Sequence, residues 1–145
     1  MLTTAAALAG GSKPPIDLQV LIQNNEIIEP TKIIQLPLDN PPEMVNFDRI
    51  AIVSYKYLWD LQVLADGAVV VQFDNIGTNA LEAATRTGMG KILAVLFRTD
   101  VDESSRILLA AVIDKPLTSG KLRLEGLTPQ EVKKIQQFIA KRRET

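Results

Sequence analysis

The sequence contains neither cysteine nor histidine. Without cysteine the chain cannot form disulfides, thiolate nucleophiles or cysteine metal sites. Without histidine it lacks the side chain that most often serves as a general base or a metal ligand near neutral pH. Ser-His-Asp and Cys-His mechanisms are therefore excluded. We predict a protein that is not an enzyme and that has neither a metal site nor another cofactor.

Neither sign of charge dominates, and long apolar runs are missing. The chain has 16 Lys and Arg residues against 17 Asp and Glu residues. Binding to nucleic acid without sequence preference needs a basic surface, so we expect no nucleic-acid partner. The longest apolar runs, residues 92–97 and 107–113, are far shorter than the roughly 20 residues of a membrane span. We therefore expect a soluble protein without a membrane partner.

The first third of the chain is rich in proline and in β-branched residues. Pro30 and Pro37 interrupt the apolar stretch 27–38, and Pro41-Pro42 follows it. Because proline cannot donate to a sheet ladder, residues 1–46 are predicted to form an extended N-terminal arm. Such an arm would place its apolar side chains on a neighbouring molecule by adding a strand to its sheet. The predicted partner-binding residues are Leu18, Val20, Ile22, Ile27, Ile28, Ile33 and Ile34.

Residues 47–145 carry the pattern of a compact β-rich domain. Asp66-Gly67 lies between two apolar runs, which predicts a β-hairpin over residues 59–73. Further strands are predicted at residues 49–58, 91–98, 106–114 and 121–125. Ala-rich residues 79–86, with Asn79 as N-cap and Gly88 at the end, predict a short helix.

The last predicted element is a helix over about residues 129–142. Thr128-Pro129-Gln130-Glu131 has the pattern of a capping box with proline at the first helical position. Val132, Ile135 and Ile139 then recur at helical spacing. The predicted fold class is α+β: a small, mainly antiparallel, barrel-like β-sheet with a docked C-terminal helix and an extended N-terminal arm.

Two motifs are similar to ligand sites. Gly88-Met89-Gly90-Lys91 is similar to a phosphate loop, but Ile92 stands where the magnesium-binding hydroxyl should be, so we interpret it as a turn. Asp100, Asp102 and Glu103 could bind calcium, yet the other ligands of an EF-hand loop are missing, so we interpret them as a solvated turn. A hydrolase that uses Asp100 and Asp102 is a remaining alternative.

The C-terminal half also offers a resemblance, over roughly residues 66–143. The stretches that carry it are Gly90-Lys91-Ile92-Leu93, Asp100-Val101-Asp102-Glu103-Ser104-Ser105, Ala110-Ala111-Val112, Gly120-Lys121-Leu122-Arg123-Leu124 and Gly126-Leu127-Thr128. Together with the closing helix, they resemble the lambda-type head decoration proteins of tailed bacteriophages.

This resemblance implies a non-enzymatic structural protein that cements a viral capsid. It implies a homotrimer on the exterior of the virion, with the major capsid protein or other assembly subunits as partners; a cytoplasmic location is the alternative. The arm would supply the attachment to the shell. A different hypothesis is a small β-barrel adaptor module that binds nucleic acid or protein, for which salt-dependent binding to an oligonucleotide is the test.

Overall fold

The computed structural model describes residues 16–26, 29–39, 42–99 and 104–144. Nine strands and two α-helices follow one another along these segments. They are β1 (Asp17–Ile22), β2 (Ile33–Asp39), β3 (Pro42–Asp48), β4 (Val53–Ser54), β5 (Leu58–Val63), β6 (Val69–Phe73), α1 (Asn75–Thr87), β7 (Ile92–Arg98), β8 (Arg106–Val112), β9 (Lys121–Leu124) and α2 (Pro129–Arg143). Short 3₁₀ turns at Pro30–Lys32 and Tyr55–Tyr57 precede β2 and β5.

The described strands form three antiparallel sheets. One has four strands in the order β4-β1-β7-β8, one is the β2-β3 hairpin, and one has three strands in the order β5-β6-β9. The predicted α+β class, mainly antiparallel β with a C-terminal helix, is confirmed. Within these residues the strands make separate sheets and not one closed barrel, so the barrel-like detail of the prediction is not seen.

β7 is an inner strand of the four-stranded sheet. It is apolar on both faces, as expected of a strand that is covered on both sides. Leu93, Val95 and Phe97 belong to the main core, whereas Ala94 and Leu96 belong to a second core on the opposite face of the sheet. All five of these residues are buried. β7 therefore supports one layer of structure on each side.

The two cores are closed by different elements. The main core lies between the four-stranded sheet, the three-stranded sheet and the helices, and includes Phe73, Leu81 and Ile135. The second core is closed by the β2-β3 hairpin, whose fully buried Phe47 packs near Leu21. The result is a three-layer arrangement with the four-stranded sheet in the middle.

α1 begins earlier than the sequence predicted. Asp74, not Asn79, is its N-cap, and its carboxylate accepts a hydrogen bond of 2.9 Å from Gly77 N–H. The Asn-Ile-Gly-Thr start of this helix has weak helix propensity, which concealed its first turn. Gly77 is required there, because a Cβ would lie 2.9 Å from the Cβ atoms of Phe73 and Tyr57. Gly88 at the C-terminal end is confirmed.

The capping box of α2 is confirmed in both directions. Thr128 Oγ1 accepts a hydrogen bond from Glu131 N–H at 3.2 Å, and Glu131 Oε1 accepts one from Thr128 N–H at 2.9 Å. The hairpin around Asp66-Gly67 is also confirmed, with Leu61 opposite Val71 in β5 and β6. The predicted strand at residues 49–58 was wrong in extent: Val53–Ser54 is a strand, a 3₁₀ turn follows, and Leu58 already begins β5.

The predicted extended arm differs from the structure wherever residues 1–46 are described. β1 is an inner strand, paired with β7 along its whole length and with β4 on its other side. Leu18 and Val20 have no exposed surface. Of the prolines described in this region, Pro30 lies in a 3₁₀ turn, Pro37 in β2 and Pro42 at the start of β3. β2 and β3 pair with each other outside the main sheet. The remaining residues of the predicted arm, 1–15, 27–28 and 40–41, lie outside the described residues.

Candidate functional site

β8 lies at the edge of the four-stranded sheet. β7 is its hydrogen-bonded neighbour, and no other described strand pairs with its second edge. Just after β8, Ile113 N–H donates to Lys91 C=O, and Gly90 N–H donates to Ile113 C=O, both at 2.8 Å. Because hydrogen-bonding direction alternates along an antiparallel strand, the backbone groups of Ala110 and Val112 face outward.

The second half of β8 lacks the usual protection of an edge strand. Exposed edges normally carry charged residues, proline or a bulge, which prevent another strand from pairing with them. A bulge at Leu108 interrupts the pairing near the start of β8, but no charge or proline occurs from Ile107 to Ile113. Ala110 and Ala111 are exposed, and Val112 is 62% exposed. None of the strands in the described segments pairs with this half of β8, so its edge can accept an additional strand.

An apolar groove runs between β8 and β9, and we name it the β8–β9 groove. Its volume is about 300 Å³. Its apolar lining residues are Leu93, Leu109, Ala111, Val112, Ile113, Leu117 and Leu122. Lys115 and Lys121 also line it. Among the described residues β8 and β9 are not paired with each other, so two sheet edges border the same groove.

A second groove, the β2–β8 groove, lies on the other face of the sheet. Its volume is about 380 Å³, and Pro37, Leu38, Ile92 and Ile107 line it together with the later residues of β8. Leu93 of the β8–β9 groove belongs to the main core, whereas Ile92 and Ile107 pack on the second core. The exposed edge of β8 therefore has a groove on each face, and the side chains that line the β2–β8 groove are aliphatic except for Asp39.

The start of β8 is held by a partly buried ion pair. The Arg106 guanidinium donates two hydrogen bonds to the Glu131 carboxylate, at 2.6 and 2.5 Å, and a third to Gly126 C=O at 3.0 Å. The Arg106 hydrogen bond lowers the pKa of Glu131 to about 2; burial opposes this shift, and the hydrogen bond from Thr128 N–H supports it. β8 is thus fixed to the first turn of α2, which keeps its free edge in place.

The residues predicted to bind a partner are not brought together at a surface. Leu18, Val20 and Ile22 belong to or pack on the main core, and Ile34 packs on the second core. Ile33 is partly buried in β2. The predicted residues Ile27 and Ile28 lie outside the described part of the chain.

The two motifs that are similar to ligand sites have different outcomes. Gly90, in the motif similar to a phosphate loop, has a φ of +85°, in the turn between α1 and β7. The carboxylates Asp100, Asp102 and Glu103 lie outside the described residues. In the described segments no group of three or more acidic residues is placed to hold a metal ion. Likewise, no helix of the described chain has the length and apolar character needed to cross a membrane.

Sequence patterns missed the β8 edge as a site. The run 107–113 predicted a buried strand, but only Leu108 and Ile113 in it are buried, and residues 110–112 are exposed. Their exposure depends on which strand ends the sheet. That order is set by pairing between distant segments. The only local signal was the alanine pair Ala110-Ala111, which is small for a strand that fills a core.

Comparison with known protein families identifies the family of this chain. The family model described as "SecDF, P1 head subdomain" matches residues 31–140. The chain belongs to this family. A comparison with curated proteins gave no match.

Two solved structures share the fold of this SecDF P1 head family member. One is described as "Structure and function of a membrane component SecDF that enhances protein export"; it has a TM-score of 0.56 and 19% identity, over 93% of this chain and 69% of that one. The other, described as "Crystal structure of SecDF in Super-membrane-facing form", has a TM-score of 0.56 and 19% identity, over 84% of this chain and 18% of that one.

The family assignment overturns the resemblance to phage decoration proteins. That resemblance rested on turn and strand-end residues, such as Gly126-Leu127-Thr128, which many α+β folds share because they cap helices and close turns. The capsid-cementing function, the virion location, the capsid partners and the trimer are corrected with it. The adaptor alternative is not supported either.

Proposed function

We propose that this chain works in protein export, as a subdomain that contacts the exported polypeptide without changing it chemically. The observation that carries this proposal is the match of the SecDF P1 head family over residues 31–140. One similar structure is described as a membrane component that enhances protein export. We extend to this chain the Sec translocon and preproteins as partners and a position on the non-cytoplasmic side of the membrane.

The site we propose for this contact is the exposed edge of β8 with its two grooves. An unfolded polypeptide presents unpaired backbone groups together with apolar side chains that a folded protein buries. β8 offers outward backbone groups at Ala110 and Val112, and the grooves offer aliphatic surface beside them. A folded protein displays neither feature in quantity, so the edge would select unfolded chains.

A non-enzymatic role agrees with the chemistry available. The whole chain has no histidine or cysteine, and the side chains of the β8–β9 groove are aliphatic except for Asp114, Lys115, Lys121 and Arg123. Of these, Arg123 pairs with Asp66 at 2.5 Å. A groove of this composition binds and releases a chain, and the free energy for movement must come from another part of the export machinery.

The test is binding to one protein in two states. A fluorescently labelled protein that is kept unfolded by reduction and alkylation should bind this chain, and the same protein in its folded form should not. Val112→Lys should weaken the binding at least about tenfold, which corresponds to about 1.4 kcal/mol. Val63→Lys is the matched control, because Val63 is 51% exposed on β5, the edge strand of another sheet. Equal binding of folded and unfolded forms, or no binding, contradicts the proposal.

A further inference from the structure

We propose that the polypeptide binds as an additional β-strand on β8, between the edges of β8 and β9, and that the site prefers a continuous apolar run over an alternating one. This inference rests on the proposed function and specifies how the same site would recognise its ligand. It concerns two separate properties, the backbone pairing and the side-chain pattern.

The backbone of β8 sets the pairing. Ala110 and Val112 are two residues apart, and each turns an N–H and a C=O outward. A strand laid along this edge can bond to both residues, and each bond satisfies a group on β8 and one on the incoming chain. Leu109, Ala111 and Ile113, on the alternate positions, remain bonded toward β7 and the adjoining turn, so the existing sheet is not disturbed.

The grooves set the side-chain pattern. Successive side chains of a strand point to opposite faces of a sheet. One set would enter the β8–β9 groove near Leu109 and Leu122, and the other would enter the β2–β8 groove near Leu38 and Ile107. Apart from Asp39 in the β2–β8 groove and the four charged residues of the β8–β9 groove, the lining side chains are aliphatic. An apolar side chain at either set of alternate positions therefore gains apolar contacts, whereas a polar one loses hydration and meets mostly aliphatic neighbours. A run that is apolar at every position therefore fits best.

A single extended chain fits this edge better than a second copy of the domain. The β8–β9 groove is bordered on its far side by β9 and by Lys115 and Leu117 of the preceding segment. A folded edge strand would bring its own covering layers against that border. An unfolded segment has none, which is why we assign the groove to an exported polypeptide.

Backbone methylation of a peptide tests the pairing. A short peptide with a central run of valine and leucine should bind, and N-methylation of every second residue gives two versions, one for each set of alternate positions. Methylation on the set that faces β8 should weaken binding at least about tenfold, because it removes the donors, whereas methylation on the other set should have much less effect. If both versions bind as well as the parent peptide, strand addition is wrong while binding of unfolded chains stands.

A second peptide pair tests the preference for a continuous apolar run. Replacing alternate apolar residues with serine should weaken binding for either set, because each set meets an apolar groove. If serine at one set of positions leaves binding unchanged, only one groove selects apolar side chains, and the proposed preference for a continuous apolar run is wrong. If neither the parent peptide nor the unfolded protein binds, the proposed function itself fails.

Variants of β8 complete the test. Ala110→Pro removes an outward N–H that is not used by β7, and Val112→Lys places a charge on the edge; both should abolish peptide binding, while Val63→Lys should not. Circular dichroism and thermal unfolding show whether Ala110→Pro keeps the fold, and Val112→Lys remains as the surface variant if it does not. Light scattering tests whether β8 instead pairs with a second copy of the chain. A dimer that does not bind the peptide, and that is absent in Val112→Lys, would contradict the proposal.

Discussion

At the scale of single residues, Gly120 shows how closely the loop before β9 approaches α1. Its φ is +73°, and a Cβ at this position would lie 2.0 Å from Thr78 Oγ1. Its carbonyl also accepts a hydrogen bond of 2.9 Å from Phe73 N–H. The backbone must therefore pass where only glycine fits, and this contact joins the start of β9 to the end of β6.

We expect Gly120→Ala to lower the free energy of unfolding by about 3 kcal/mol or more, because it combines a strained φ with overpacking. Gly67→Ala is the control: its φ is +90°, but no heavy atom lies within 4 Å of the added Cβ. The free energy of unfolding of Gly67→Ala should fall by only about 1 to 2 kcal/mol. Chemical denaturation measures both values. Equal losses would show that the contact with Thr78 has no energetic effect.

Glu131 makes a second residue-scale prediction, on pH. Its pKa falls from 4.5 to about 2 in the folded protein, chiefly through the hydrogen bonds from Arg106. As the pH falls, Glu131 is therefore protonated in the unfolded state before it is protonated in the folded state. Its contribution to the free energy of unfolding is complete above about pH 5 and is lost as the pH falls toward 2. The shift corresponds to about 3 kcal/mol.

The measurement is the free energy of unfolding as a function of pH for the wild type and for Glu131→Gln. The variant should lose less stability than the wild type between pH 5 and 2, because it has no carboxylate to protonate there. Glu82→Gln is a suitable control, since Glu82 pairs with Arg86 one turn away on α1 at the protein surface and such pairs contribute little. Parallel curves for the wild type and Glu131→Gln would contradict the role of this carboxylate.

At the scale of elements, Arg142 near the end of α2 joins three parts of the chain. Its guanidinium donates to Leu58 C=O at the start of β5 and to Asp74, the N-cap of α1. Burial raises the pKa of Asp74, but the hydrogen bonds from Gly77 N–H and Arg142 outweigh it and hold the pKa below its ordinary value. The C-terminal helix is thus fixed at both ends, by Arg142 here and by Glu131 at its first turn.

We expect Arg142→Gln to lower the free energy of unfolding by about 2 to 3 kcal/mol, because it leaves a partly buried carboxylate without its cation. Arg143→Gln provides a matched control in the next residue. Arg143 lies 3.8 Å from Asp60 and stacks 4.7 Å above the Trp59 ring, at a more exposed position, so its loss should cost no more than about 1 kcal/mol. Unfolding of the two variants at the same denaturant concentration would contradict the larger contribution of Arg142 to stability.

The elements that sequence patterns predicted are those whose signals are local. The Asp66-Gly67 hairpin and the Thr128 capping box each depend on a few neighbouring residues, and both are present. The N-cap of α1 was predicted five residues too late, at Asn79, because the true cap, Asp74, precedes residues with weak helix propensity. Within the predicted hairpin, sequence patterns gave no sign of the register shift between Leu58 and Asp60, where Trp59 is 44% exposed.

At the scale of the whole molecule, the placement of β1 could not be predicted from local patterns. Its partner β7 lies far along the chain, with Val20 opposite Val95, and nothing near residue 20 indicates that pairing. The prolines that follow β1 favoured an arm, yet Pro37 and Pro42 belong to the separate β2-β3 hairpin. The exposed edge of β8, and with it the candidate site, depends on the same long-range order of strands.

The inner position of β1 gives a prediction for the whole fold. Leu18→Ala should lower the free energy of unfolding by about 2 to 5 kcal/mol, because Leu18 is fully buried in the main core and truncation leaves a cavity. Val63→Ala, at an exposed edge, should change it by no more than about 0.5 kcal/mol. Denaturant titration measures the two values. A Leu18→Ala variant as stable as the wild type would show that β1 contributes little to the core, as expected of a dispensable arm.

Amide hydrogen exchange on β8, measured by NMR with and without a saturating apolar peptide, shows whether a bound peptide pairs with this strand. In the free protein the amides of Leu109 and Ala111 should exchange slowly, because they are bonded to β7, while those of Ala110 and Val112 should exchange fast. Peptide binding should slow Ala110 and Val112 at least about tenfold, as expected for newly bonded amides. If the peptide binds and these two amides exchange as fast as before, no strand has been added to β8.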